Sequence, residues 1–313
     1  RGRSADTPAV RLEPRQRLHD HKGHVMSLTL HKETNQLISG SVDGIKFREV
    51  AEPATCAATV KEHYGTVLCL LVCHTGHVIS GSRDCQIKIW DPMGHCIGTL
   101  EQHTDAVQVL IECGTFVISG SNDGSIKIWD PVHWVCLKTI RSCSGSIKAL
   151  CCVQNELNGL KLVSGGYDRK VRVWNTDGWV CEHVLHGHQS GVTALCVYAN
   201  GNNFASTSND DTVRLWDAGT WECLSTLYGH TETVWTICEV DRWLISGSGD
   251  GTLRVWDPDT GECEAVVQAN EQPVSTLLAV DGGGLGNDKG LVSGSWDSSI
   301  AFWGLVEADR ADQ

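Results

Sequence analysis

The segment SGSRDCQIKIWD at residues 80–91 decides the fold, because close copies of it return along the whole chain. Copies such as SGSNDGSIKIWD at 119–130 and SGSGDGTLRVWD at 246–257 keep the serine, the aspartate and the Trp-Asp pair at the same spacing. The shared aspartate recurs at intervals of 39 to 47 residues, as Asp43, Asp84, Asp123, Asp168, Asp210, Asp250 and Asp297. Such a period indicates an array of similar supersecondary units.

Each unit contains four short strands, and the unit around Asp210 is the clearest. Its apolar alternation predicts strands at 192–197, 203–207, 212–216 and 223–227, with a tight turn at 209–211. Val, Ile and Leu in such strands suit sheets that stack face to face around a ring. The sequence therefore predicts an all-β fold, a seven-bladed β-propeller with four strands in each blade.

The two ends of the chain together supply the last blade. The final repeat, residues 274–303, contains only three predicted strands, and residues 15–18 match the fourth strand of a blade. Because an open ring would expose a sheet edge, we expect the N-terminal strand to complete the last blade. This assigns residues 10–304 to the propeller, 1–9 to a loose leader and 305–313 to a loose acidic tail.

The repeats resemble the WD-repeat family over residues 10–304, because His, Ser-x-x-x-Asp and Trp-Asp recur in that order. The resemblance implies a hydrogen-bonded tetrad of His, Ser, Asp and Trp in a blade. Four repeats carry the full set. These sets are His63, Ser80, Asp84, Trp90; His103, Ser119, Asp123, Trp129; His188, Ser206, Asp210, Trp216; and His230, Ser246, Asp250, Trp256.

Three repeats depart from the tetrad pattern. Arg48 replaces the Trp of the first repeat, and Cys143 and Asn270 stand where the fourth and last repeats would have His. We expect these three blades to be the least rigid parts of the ring.

The recurring Ser, His and Asp could also be interpreted as a hydrolase triad. A triad needs an exposed nucleophile and an oxyanion hole at one site, and the chain has no G-x-S-x-G elbow. A structural device repeated around the ring explains the trio better. We therefore expect that the chain is not an enzyme.

Two groups of histidines crowd together as metal ligands do. They are His19, His21 and His24, and His183, His186 and His188. Two of the six belong to the repeat pattern, and the others lack a clear fourth ligand. We therefore expect neither a metal nor a cofactor.

Net charge and cysteine content limit the classes of partner and the cellular compartment that we expect. The net charge of −13 disfavours nucleic acid, whose binding depends on neutralised phosphates, and no apolar stretch is long enough for membrane insertion. Many of the 15 cysteines, such as Cys96 and Cys136, recur once per repeat, which indicates small buried thiols and not disulfides. Reduced thiols predict a cytoplasmic or nuclear location.

The family resemblance also implies where a partner would bind. The positions are the residue before each repeat Asp and the two residues that flank the first-strand Val or Ile. Most of them hold small or polar residues, and the larger exceptions are Met26, Arg83, Lys148, Tyr167, Trp235 and Trp296. Aromatic residues and Arg dominate interface hot spots, so these side chains predict docking of an apolar peptide carrying acidic residues.

Taken together, these features predict a non-catalytic scaffold that docks a peptide segment or a folded partner on one face of the propeller. An alternative role is the substrate-recognition propeller of a ubiquitin ligase or kinase whose catalytic module lies outside this chain. An alternative docking surface is a rim formed by Trp134, Trp179 and Trp221, which each follow a repeat Asp by eleven residues.

Overall fold

The computed structural model describes residues 10–50, 55–141, 145–280 and 289–307. In this part of the chain, 28 strands form seven four-stranded antiparallel sheets. The predicted seven-bladed, all-β propeller is confirmed. One 3-10 turn, Ala199–Gly201, is its only helical element, and no helix among the described residues has the length and apolar character needed to cross a bilayer.

The first strand, β1 (Val10–Leu18), belongs to the last blade. Blades one to three then follow in chain order. Blade one is β2 (Val25–His31), β3 (Gln36–Ser41), β4 (Gly44–Glu49) and β5 (Thr55–Val60). Blade two is β6 (Val67–Val72), β7 (Val78–Ser82), β8 (Ile87–Trp90) and β9 (Cys96–Leu100). Blade three is β10 (Val107–Cys113), β11 (Phe116–Ser121), β12 (Ser125–Asp130) and β13 (Val135–Arg141).

Blades four to seven continue in the same way. Blade four is β14 (Ile147–Asn155), β15 (Gly159–Gly166), β16 (Val171–Asn175) and β17 (Cys181–Leu185). Blade five is β18 (Val192–Tyr198), β19 (Asn203–Ser208), β20 (Val213–Asp217) and β21 (Cys223–Leu227). Blade six is β22 (Val234–Val240), β23 (Trp243–Ser248), β24 (Thr252–Trp256) and β25 (Cys263–Gln268). Blade seven is β26 (Val274–Val280), β27 (Gly290–Ser295), β28 (Ile300–Glu307) and β1.

The N-terminal strand closes the ring as the sequence predicts. β1 pairs antiparallel with β28 from Leu18 opposite Ile300 to Val10 opposite Glu307, and the register shifts at Pro14. Proline has no N–H to donate, so a bulge on an edge strand accommodates it. The strand β28 continues to Glu307, three residues beyond the predicted end of the propeller. The predicted leader, 1–9, and residues 308–313 of the predicted tail lie outside the described residues.

The turn between the second and third strands takes the same form in every blade. The residue after the repeat Asp has a positive φ in all seven, whether it is a glycine such as Gly44 (115°) or a larger residue such as Cys85 (71°). In blade two the Asp84 carboxylate accepts the Gln86 N–H at 3.0 Å, and the Ser82 hydroxyl accepts the Asp84 N–H at 3.2 Å. These turns and the connections between blades form one end of the ring, which we call the top face.

A buried serine hydroxyl in the second strand is the centre of each tetrad. In blade five, Ser206 Oγ lies 2.8 Å from His188 Nε2 and accepts the Trp216 Nε1–H at 2.8 Å. His188 Nδ1 lies 2.9 Å from the Asp210 carboxylate. The sets in blades two, three and six are bonded in the same way.

Blade one keeps its serine bond through a different donor. Arg48 is fully buried and donates from Nη1 to Ser39 Oγ at 2.5 Å. Its Nε and Nη2 donate to the Asp20 carboxylate, and the shortest of these bonds measures 2.7 Å. The guanidinium therefore replaces the indole without leaving a buried charge unpaired.

Blades four and seven keep the bond between Trp and Ser and change the rest. Cys143 lies outside the described residues, and the Asp168 carboxylate of blade four accepts a bond from Arg172 at 2.6 Å. In blade seven the Asn270 side-chain amide is buried, and both of its polar atoms lack a hydrogen-bond partner among the described residues. Lower rigidity in blades one, four and seven stays a prediction.

The cysteines correct the expectation of buried, reduced thiols in two ways. Cys113 of β10 and Cys152 of β14 form a disulfide that links blades three and four, with a Cα–Cα distance of 5.6 Å. The once-per-repeat cysteines lie in fourth strands at the outer edge of the blades, where Cys223 is exposed. The prediction of a cytoplasmic or nuclear location depended on reduced thiols and stays untested.

Hydrogen bonds and burial set the protonation states of His and Asp in blades one, two and three. Burial lowers the pKa of His21, His63 and His103 in spite of the Asp carboxylate beside each ring. Burial opposes the ionisation of Asp123, but hydrogen bonds from Ser125 and other neighbours outweigh it and hold its pKa at about 2. At neutral pH each of these three rings is therefore neutral and lies beside an ionised Asp.

We expect Asp210→Ala to destabilise the fold more than Asp168→Ala. Asp210 accepts bonds from the backbone N–H groups of Gln189 and Thr212 and from the Thr212 hydroxyl, and it contacts His188, so its loss leaves several groups unsatisfied at a cost of about 1–3 kcal/mol. Asp168 has no His partner among the described residues. Urea denaturation of the two variants measures the difference, and equal losses of free energy of unfolding would contradict the prediction.

Stability should also fall as the pH drops below about 6.5, the usual pKa of His. The pKa values of His21, His63 and His103 are lower in the folded chain. The unfolded chain therefore binds protons first and is stabilised by them, which lowers the free energy of unfolding. A second decline should begin near pH 4, because the folded chain also lowers the pKa of Asp123. Urea midpoints from pH 8 to pH 3 test this, and a flat profile between pH 7 and pH 5 would be the contrary result.

Candidate functional site

Each first strand begins with a β-bulge that lies on the top face. The register shifts just after the first-strand Val or Ile in all seven blades, for example between Val25 and Ser27 and between Val234 and Thr236. A bulge leaves its extra residue out of the ladder and re-aims the side chain. The seven bulge residues are Met26, Leu68, Gln108, Lys148, Thr193, Trp235 and Ser275.

Large apolar side chains on the top face come from four neighbouring blades. Trp235 of blade six and Trp296 of blade seven lie with ring centroids 5.9 Å apart. The ring of Trp296 also stacks on His24 of blade one at 5.0 Å, with the two planes 4° apart. We call the apolar arc the set formed by Trp235, Trp296, His24, Met26, Val42 and Leu68.

Part of the apolar arc lines a cavity of about 400 Å³, and Trp235 is not among its lining residues. Its lining combines His24, Met26 and Trp296 with Val42, Leu68, Thr66, Gly23 and Arg83. A Cβ on Gly23 would meet Val42 Cγ1 at 2.2 Å, so only glycine permits this close approach. Trp296 Nε1 is buried and has no hydrogen-bond partner among the described residues. The cavity thus combines apolar walls with one cation, Arg83.

Lys148 and Tyr167 form a separate pair on blade four. Lys148 Nζ lies 5.2 Å from the centre of the Tyr167 ring and donates to Gln108 Oε1 at 2.8 Å. Burial lowers the pKa of Lys148 to about 8, and the charge of Arg83 adds to this effect. No ring contact joins Tyr167 to Trp235 or Trp296 in the described part of the chain. The six residues predicted from the sequence therefore divide into two groups.

Of the residues in the apolar arc, His24 is the least conspicuous in the sequence. It occupies a position that the family resemblance marks, but it attracts attention in the sequence only as a member of a histidine group. Its contact partner Trp296 lies near the other end of the chain. Closure of the ring brings blades seven and one together, and no local pattern could indicate the stack.

The three regularly spaced tryptophans lie at the opposite end of the ring. Trp134 packs edge-on against His77 at 6.1 Å, and Trp179 against Phe116 at 5.8 Å, each partner belonging to the preceding blade. Trp221 is buried and packs against Phe204. These rings fill the spaces between turns and strands, which favours a structural role for them.

The tetrad serines are inaccessible as nucleophiles. Ser80, Ser119, Ser206 and Ser246 are fully buried, and each hydroxyl is engaged by a His and a Trp. No group of three or more His, Cys, Asp or Glu side chains among the described residues is placed to hold a metal ion.

The WD domain, G-beta repeat model matches six segments of the chain, at residues 12–45, 54–91, 94–130, 134–175, 179–217 and 221–257. Together these segments cover more than half of the sequence. The chain belongs to the WD40 repeat family. The seventh WD40 repeat is outside the matched segments, and it is the one in which Asn270 replaces His and Gly304 follows the Trp.

A solved structure supports the same fold for the WD40 repeats. The WD40 beta propeller domain of Doa1 is similar with a TM-score of 0.81 and 20% sequence identity, over 93% of this chain and 96% of that chain. At this identity the likeness shows the fold alone. No curated protein matches the chain.

Replacing Trp221 by glycine should destabilise the propeller strongly. Trp221 has a φ of 64°, and its N–H donates to Asp217 O at 2.8 Å, as that of Gly261 does to Asp257 O in blade six. Glycine therefore fits the turn, so Trp221→Gly removes only the ring, at a cost of about 3–5 kcal/mol. The half-buried Trp235 is the comparison: Trp235→Ala should cost much less in urea denaturation. Similar losses in both would refute the assignment of Trp221 to the core.

Proposed function

We propose that this WD40 propeller is a non-catalytic interaction scaffold whose apolar arc binds an extended apolar segment carrying acidic residues. The observation that carries the proposal is the cavity in which Met26, Arg83 and Trp296 meet. WD40 propellers generally act in protein–protein interaction, and this cavity supplies apolar contact area next to a cation. Aromatic side chains and Arg give large contact areas when a partner covers them.

Charge gives the bound segment a direction along the arc. Arg83 lines the cavity at the blade-two end of the arc. At the blade-six end the exposed Glu232 lies beside Gly249, close to Trp235. A carboxylate of the ligand is therefore favoured near Arg83 and disfavoured near Glu232. We infer a segment whose acidic residue lies over blades one and two and whose apolar side chain contacts the two tryptophans.

The role of substrate receptor for a ubiquitin ligase or kinase would use the same arc. It differs only in what is attached outside this chain. Nothing among the described residues favours that attachment over other partners.

The test starts from a random peptide library selected for binding to the wild-type domain. We expect the enriched peptides to combine an aromatic or aliphatic residue with Asp or Glu. For such a peptide, Trp235→Ala and Trp296→Ala should each weaken binding by roughly 2 kcal/mol or more while the melting temperature changes little. Lys148→Glu should weaken binding more at low salt than at high salt, because salt screens the added charge.

The control is Met93→Ala, which removes a side chain that is 76% exposed in the turn between β8 and β9, on the face opposite the arc. It should leave peptide binding unchanged. Peptides that bind both Trp variants as tightly as the wild type would overturn the proposal.

A further inference from the structure

A second cavity, of about 670 Å³, lies between blades four and five on the face opposite the apolar arc. The turns that line it join first to second strands and third to fourth strands, which end away from the top face. Its lining is Gln154, Glu156, Leu157, Asn200, Asn202, Asn203, Asp217 and Gly219. This cavity therefore shares no residue with the site of the proposed function.

An unusually long hairpin builds one wall of this cavity. β14 has nine residues, whereas the other first strands have six or seven. The hairpin reaches blade five, where Asn158 Nδ2 donates to Ala218 O at 2.8 Å and to Gly219 O at 3.1 Å. These two bonds fix the hairpin against the turn that follows β20, so the wall is formed before any ligand arrives.

The other wall is equally constrained. It contains the 3-10 turn, in which Ala199 and Asn200 both have positive φ values, 53° and 54°. A Cβ on Gly201 would meet Gln154 O at 2.5 Å, so the turn lies directly against the end of β14. The Ala199 N–H is held by the Glu239 carboxylate of blade six at 2.9 Å. A rigid cavity loses little entropy when it is filled, which favours a specific ligand.

The chemistry of the lining selects for a cation. Four side chains are carboxamides, two are carboxylates, and none of the described lining residues is Lys or Arg. Asp217 Oδ1 accepts the N–H groups of Gly219 and Thr220 at 2.7 Å, and these bonds lower its pKa and keep it ionised. Carboxylates and amide oxygens together accept hydrogen bonds in several directions.

The surroundings add to this negative potential. Burial raises the pKa of Tyr198 to about 12, and the carboxylates of Asp259, Asp217 and Glu239 contribute to that rise. These acidic groups belong to blades five and six, so the charge extends beyond the cavity itself. A positively charged ligand would be attracted from solution as well as held.

We propose that this cavity binds an arginine side chain, with its flanking apolar residues, in an extended segment of a partner protein. A planar guanidinium carries five N–H donors in fixed directions, which match several carboxylate and carboxamide acceptors better than an ammonium does. The volume exceeds one side chain and admits a few residues of backbone, which the carboxamides can pair. Leu157, 82% exposed at the tip of the hairpin, offers contact to an apolar neighbour of the arginine.

Fluorescence anisotropy tests this with a labelled pentapeptide that has arginine at its centre, leucine on either side and glycine at both ends. The comparison peptide has citrulline at the centre, which keeps the shape and removes the charge. We expect the arginine peptide to bind wild-type protein about fivefold to tenfold more tightly, and the difference to shrink as salt is added. The double variant Glu156→Gln/Asp217→Asn should reduce that preference to about twofold or less.

The matched control is Asp257→Asn, which changes the equivalent turn of blade six, where Asp257 Oδ1 accepts the Asp259 N–H at 2.9 Å. It should retain the preference for arginine. Trp296→Ala should retain it as well, so that failure of the proposed top-face site does not affect this result. Equal binding of the two peptides, no binding of the arginine peptide, or a preference that survives the double variant would each overturn the proposal.

Discussion

The hydrogen bond to the buried serine hydroxyl of the second strand is the one interaction on which every blade depends. Six blades supply the donor from Trp, as in Trp90 to Ser80 at 2.8 Å, and blade one supplies it from Arg48. The bond joins the second strand to the third within a blade, and the bulky donor fills the space against the preceding blade, as Trp90 does beside Ile45 and Phe47. It therefore links the pairing of strands to the packing of sheets, the two requirements of a propeller. The contact between His and Asp is less general, because blades four and seven have Cys143 and Asn270 in place of the histidine.

The top face follows from this constraint. A tetrad holds the turn that contains the repeat Asp, so the residue before that Asp is placed in the same way in each blade. The bulge at the start of each first strand then directs a second side chain to the same end of the ring. Because the Asp turn and the bulge take the same backbone form in all seven blades, the blades differ at these positions in their side chains. Trp235, Trp296 and Met26 make one part of the ring apolar, whereas Gln108 and Lys148 make another part polar.

The tetrads do not constrain the turns on the opposite face. Its turns vary in length, and three of them place a tryptophan where blade six has Gly261. A longer hairpin can therefore appear in one blade without disturbing the ring, as β14 and β15 do in blade four. Asn158 fixes that hairpin to the neighbouring blade, beside the cavity between blades four and five. Variation where the tetrads impose no geometry is the physical reason why the two faces of one propeller carry unlike cavities.

The sequence by itself determined the number of blades, the strand order and the closure by the N-terminal strand, because each is a local pattern repeated about every 40 residues. Through the family resemblance it also predicted the positions at which a partner would bind, which stays a prediction. Only the tertiary structure decided which of those positions meet. The stack of His24 on Trp296 and the disulfide from Cys113 to Cys152 join different blades. Such contacts depend on how sheets stack around the ring, and a period along the chain carries no information about side chains that face each other across two blades.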